Sequence, residues 1–114
     1  MRLGVLSDLH ANLPALEAAL EALRAEAVDE VLVLGDLVGY GPHPRQVIHR
    51  IWEEGLAAIG GAWDLRVAYP LPGPVPEGVG KATLEWTRAQ LGEKELAYLR
   101  SLRLSHRRAY GRMR

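Results

Sequence analysis

Along the first sixty residues, short unbroken apolar runs alternate with apolar stripes at helical spacing. Leu3 to Leu6 is one such run, ending at Ser7-Asp8, and predicts a first strand. Asn12 then stands as a helix N-cap with Pro14 tolerated in the first turn. Leu13, Leu16, Leu20, Leu23 and Ala27 follow on one helical face. Val31 to Leu34, bounded by Glu30 and Gly35, shows no alternation and predicts a strand covered on both faces. Gly39, Gly41, Pro42 and Pro44 mark a loop. Val47, Ile48, Ile51 and Trp52 make the next helical stripe, which Gly55 ends, and Leu56 to Ile59 predicts a weak third strand closed by Gly60-Gly61.

Beyond that point the pattern changes. Pro70 to Gly80 reads as a long loop. Lys81 to Gln90 predicts a helix with Leu84 and Leu91 inward, and Glu93 to Leu102 another with Leu96, Leu99 and Leu102 inward. No fourth strand and no internal repeat is legible, and residues 105–114 carry no apolar period. Strand, helix, strand, helix, strand predicts an α/β fold with a parallel three-stranded core and right-handed crossovers, followed by C-terminal helices. The expected organisation is one domain over 1–104 and a basic tail over 105–114.

With 114 residues there is room for one domain and a modest core. The absence of cysteine excludes thiolate sites and leaves oxygen and imidazole as metal ligands. No apolar run is long enough to span a membrane, and the N-terminus turns acidic too soon for a signal peptide, so a cytoplasmic protein is expected. The net charge of zero hides an asymmetry: residues 1–99 hold 8 basic against 14 acidic side chains, and residues 100–114 hold 6 arginines and no acid. The tail reads as a frayed end; a nucleic-acid arm is the weaker reading, because Tyr110 is its one aromatic. Sequence read out of frame is a third origin for such a tail.

Ligands of open α/β sheets bind beyond the carboxyl ends of the strands. Asp8 and His10 follow the first run, Asp36 the second, and Asp64 lies in the loop expected after the third. Two carboxylates and an imidazole on one rim suit a divalent ion such as manganese, iron, nickel or zinc. By themselves these residues fit turn and cap chemistry better than a ligand set. His43, His49 and His106 read as surface or loop residues.

The longer segments carry more. SDLHANLPAL and GDLVGYGPHPRQVI, in this order and separated by one helix, resemble the opening motifs of the calcineurin-like metallophosphoesterases, and more closely the small bacterial phosphoesterases whose second motif reads GDxVGYGPxP. The likeness is close over residues 1–68 and looser at LEWTRAQL. It implies a four-layer α/β/β/α sandwich with two metal ions on the strand rim. It further implies that Asp8 and His10 hold the first metal and that Asp36 bridges both. The third family motif, G-N-H-D, supplies an Asn for the second metal and a His that protonates the leaving group. Here those positions are Gly61, Ala62, Trp63 and Asp64. Ala62 has no ligand atom, and an indole N–H cannot serve as a general acid near neutral pH. Asp64 is left as an orienting residue and Trp63 as a packing one. The C-terminal half of such proteins, with a further His and a G-H-x-H segment, has no counterpart here, so the resemblance is to a truncated N-terminal half.

Three functions compete on this reading. One is metal-dependent hydrolysis of phosphomonoesters or phosphodiesters with impaired or no activity. Another is a non-catalytic module that self-associates as a homodimer or higher oligomer, because an unfinished sheet leaves an open edge and apolar surface. The third, nucleic-acid binding through the tail, is the least favoured.

Overall fold

The structure, a computed structural model, describes residues 1–69 and 77–110. Three strands, β1 (Leu3–Leu6), β2 (Glu30–Val33) and β3 (Ala57–Ala58), form a parallel sheet in the order β1-β2-β3. Five helices accompany it: α1 (Leu13–Ala25), α2 (Pro44–Glu53), α3 (Ala62–Ala68), α4 (Val79–Gln90) and α5 (Glu93–Ser101). The register runs from Leu3 beside Glu30 to Leu6 beside Val33, and Val33 lies beside Ala58. The fold class is therefore the α/β one expected. The proline-rich loop falls mostly on residues 70–76, outside the described residues, as do residues 111–114 of the tail.

Asn12 caps α1 through its side-chain oxygen, which accepts the Ala15 N–H at 3.0 Å. Side chains alternate along a strand, so Gly4, Leu6, Val31, Val33 and Ala58 share one face of the sheet. Leu16 and Leu20 of α1 and Val47, Ile48 and Ile51 of α2 pack with that face into one core, which Val67, Leu84 and Leu99 extend. Each such side chain, fully buried, contributes about 1.5–3 kcal/mol. Gly4 lets α1 come close: a Cβ there would stand 2.9 Å from the Leu23 methyls.

The opposite face differs from expectation. Val5 of edge strand β1 is 53% exposed and Leu34, just past β2, is 44% exposed, while Leu32 of β2 is half-buried beside His106 to Arg108 and Tyr110, so this side is only partly covered. In a sequentially ordered parallel sheet, both crossovers of the same hand lie on one face. An unbroken apolar run in β2 is thus compatible with one partly covered face. Trp52 also departs from its expected inward position: it is half exposed and stacks on Tyr98 of α5 at 5.9 Å.

A second correction concerns the third segment. The stretch expected to be a loop after β3 is the helix α3, with Asp64 in its first turn. Seven residues are too few for an apolar period to show. β3 is shorter than Leu56–Ile59; Ile59 N–H still donates to Val33 O at 2.9 Å, and Ile59 also makes a single parallel bridge to Arg103. In the tail, Arg108 pairs with Glu30 of β2, and its guanidinium lies 5.6 Å from the Tyr110 ring centre. Among the described residues there is no helix long and apolar enough to cross a membrane.

Candidate metal centre

The loops after β1 and β2 are laced together by main-chain hydrogen bonds. Asp8 N–H donates to Gly35 O at 3.0 Å, His10 N–H to Asp36 O at 2.9 Å and Ala11 N–H to Leu37 O at 2.8 Å. Gly41 N–H returns to His10 O at 2.9 Å. The lacing forces unusual backbone: Asp8, His10, Ala11, Asp36 and Tyr40 all have positive φ, between 44° and 66°. Each such residue costs about 1–3 kcal/mol, and strain of this kind gathers where a site must be held in shape.

The consequence is convergence. His10 Nε2 lies 3.5 Å from Asp8 Oδ1 and 4.0 Å from Asp36 Oδ2. One ligand atom from each residue falls within 4.8 Å of the others. Atoms that each bond one ion at about 2.1 Å stand no more than about 4.2 Å apart. The two histidine distances meet that condition as they are, and the donor set of two carboxylates and an imidazole fits a divalent transition ion. Asp8 is exposed, while His10 and Asp36 are half-buried. The Ser7 hydroxyl donates to Asp8 Oδ2 at 2.6 Å and holds the Asp8 carboxyl below its ordinary range, so it stands ready as an anion. His10 Nδ1 is buried and has no partner among the described residues. A cation at Nε2 would take that lone pair and leave the proton on Nδ1.

The third segment reaches the centre through its backbone. Trp63 N–H donates to Asp36 Oδ1 at 3.0 Å, which leaves Oδ2 directed at His10. Gly61 permits this approach, because a Cβ there would overlap the Asp36 carboxylate. Asp64 is fully buried and accepts N–H groups from Gly61 (2.9 Å), Val38 (3.1 Å) and Leu37 (3.2 Å). It ties α3 to the two residues that follow Asp36. Burial pushes its carboxyl up from the ordinary value, and the three N–H groups oppose that rise. Ala62 is exposed and offers no donor atom. The Trp63 ring packs over Gly39, where a Cβ would stand 3.1 Å from it.

Two residues not singled out from sequence belong here. Ser7 donates to the Asp8 carboxylate and orients it. Tyr40 stands beside the centre, its ring 5.6 Å from that of His10 and 4.6 Å from that of Trp63. Its place between Gly39 and Gly41, in the second motif, was the available signal. The remaining histidines lie outside this group. His43 precedes α2, half-buried; His49 Nε2 is 3.8 Å from Glu95; His106 is exposed, 3.2 Å from the Tyr110 hydroxyl.

The sequence matches the calcineurin-like phosphoesterase superfamily domain over residues 1–111. It is 29% identical over 102 residues to an uncharacterized protein of Methanocaldococcus jannaschii, covering 90% of this chain and 42% of that one. In three dimensions it is similar to the crystal structure of a metallophosphoesterase from Sphaerobacter thermophilus. The TM-score is 0.71 at 39% identity, over 90% of this chain and 41% of that one. The chain thus spans about two fifths of the length of each of these relatives. A rim of Asp8, His10 and Asp36 on a parallel sheet and a match along nearly its whole length place this chain in the calcineurin-like phosphoesterase superfamily.

Proposed function

We propose that this protein is a metal-dependent phosphoesterase of low activity, holding one divalent ion on Asp8, His10 and Asp36. The observation that carries the reading is the convergence of Asp8 Oδ1, His10 Nε2 and Asp36 Oδ2. Manganese, iron, nickel and zinc all suit that donor set. A bound ion would supply Lewis-acid polarisation of a phosphoryl oxygen. The residues of the chain do the rest. Asp8 and Asp36 contribute the negative charge, Ser7 and the Trp63 N–H orient them, and Asp64 holds the loop beneath them.

No side chain at position 62 or 63 can protonate a leaving group. The substrates that fit are phosphomonoesters or phosphodiesters whose leaving group departs unprotonated. A cytoplasmic location belongs to the same proposal. The test is a calorimetric titration of manganese into metal-stripped protein beside Asp36→Ala, with nitrophenol release from bis-nitrophenyl phosphate followed in parallel. One manganese per chain, lost in the variant together with hydrolysis, supports the reading. Binding that survives the substitution would sink it.

A second reading is a non-catalytic, self-associating module. Exposed Val5 and Leu34 on one side of the sheet favour it, and exposed Leu104 adds further apolar surface. A homodimer or higher oligomer would cover that face. A monodisperse monomer at micromolar concentration by light scattering would remove this reading.

A further inference from the structure

We infer that Tyr40 is a specificity-determining residue: its ring is a stacking platform for an aromatic group carried by the phosphate ester. The inference rests on the metal-centre reading above and names the substrate class of that site.

Tyr40 is 56% exposed, although an aromatic ring gains most from burial. Its backbone has a φ of 66°, a conformation that a bulky residue adopts only under constraint. The constraint comes from the lacing around the site, since Gly41 N–H bonds both His10 O and Gly39 O. The strain delivers the ring to one place. It meets His10 edge to face at 5.6 Å and 73°, and Trp63 at 4.6 Å and 64°.

Trp63 braces it from behind. The indole packs on Gly39, and the Arg66 guanidinium lies 5.4 Å from its ring centre. The aromatic pair therefore stands at the lip of the metal centre with the tyrosine facing solvent. A phosphoryl group at Asp8, His10 and Asp36 places the rest of the ester within reach of that face. The second face of an exposed tyrosine is open to any flat π-system, and such stacking multiplies affinity by roughly 5- to 150-fold. The shared chemistry is an aromatic ring on a phosphate ester, whether nucleobase or aryl group.

The test is calorimetry on manganese-loaded protein with four probes: inorganic phosphate, ribose 5-phosphate, adenosine monophosphate and phenyl phosphate. Adenosine monophosphate, phenyl phosphate or both should bind at least about 5-fold tighter than ribose 5-phosphate. Which of them gains tells nucleobase from aryl group. The gain should persist in Tyr40→Phe and fall to about one in Tyr40→Asn, a residue that tolerates positive φ. If inorganic phosphate binds but neither ring adds affinity, or if the gain survives Tyr40→Asn, the platform is overturned alone. If manganese or phosphate itself fails to bind, the metal-centre reading falls and the platform with it.

Discussion

The backbone N–H of Trp63 donates to Asp36 Oδ1 at 3.0 Å while Asp36 Oδ2 faces His10. One carboxylate thus has its two oxygens divided between holding the loop and facing the candidate ion. Replacing Asp36 by Asn keeps the shape but puts an amide nitrogen at one of those positions. Manganese affinity should then fall at least about 100-fold in a calorimetric titration, with the thermal midpoint little changed. An affinity within threefold of the parent would show that Asp36 is not a ligand.

The residue at position 63 limits the chemistry. Trp63→His supplies a titratable proton donor and leaves the backbone N–H in place. Hydrolysis of an alkyl phosphomonoester, whose leaving group needs a proton, should rise at least about 10-fold. Release of nitrophenol, which needs none, should change much less. Equal gains on both substrates would mean that protonation is not what the chain lacks.

Asp64 is buried and accepts three main-chain N–H groups. Asp64→Ala strands these donors and should cost about 3 kcal/mol or more. That corresponds to a fall of roughly 10–25 °C in the thermal midpoint. Asp64→Asn keeps one acceptor and should cost less. A fall of only a degree or two in the alanine variant would contradict the role given to these bonds.

Glu95 makes α5 pH-sensitive. Burial would raise its carboxyl, but the N–H groups of Gly92 and of Glu95 itself, with Arg45 and His49, outweigh burial and hold it below the ordinary value of 4.5. The Arg45 guanidinium is 3.3 Å away. Because the folded state binds this proton more weakly than the unfolded state, the stabilisation is full above about pH 4.5 and is lost as pH falls through the lower folded value. Thermal midpoints of the parent and Glu95→Gln should differ at pH 6 and converge toward pH 3. A constant gap across that range would exclude Glu95 as the source.

The partly covered face of the sheet gives a fifth prediction. Val5→Lys places a charge on its exposed edge strand β1. If the chain self-associates there, light scattering should report a smaller species for the variant at equal concentration, with circular dichroism unchanged. An unchanged mass would move any interface elsewhere.

Periodicity along the chain was enough to reveal β1, α1, β2, α2 and both C-terminal helices, because each buries one stripe or run against a common core. The strand-end carboxylates Asp8 and Asp36 and the intervening His10 were legible for the same reason: loops after parallel strands share one rim. Other features depended on which elements meet in space. α3 is too short to show a period, and its placement comes from the Asp64 carboxylate accepting N–H groups from a loop 26 and 27 residues away. The partly covered side of the sheet, where Val5 and Leu34 are exposed, follows from strand order, which a run of apolar residues does not encode. The exposed ring of Tyr40 is set by hydrogen bonds between two loops distant in sequence. Local composition determined the elements and the donor types. Only tertiary packing, by bringing residues 8, 10, 36, 40 and 63 to one rim, decided what those donors face.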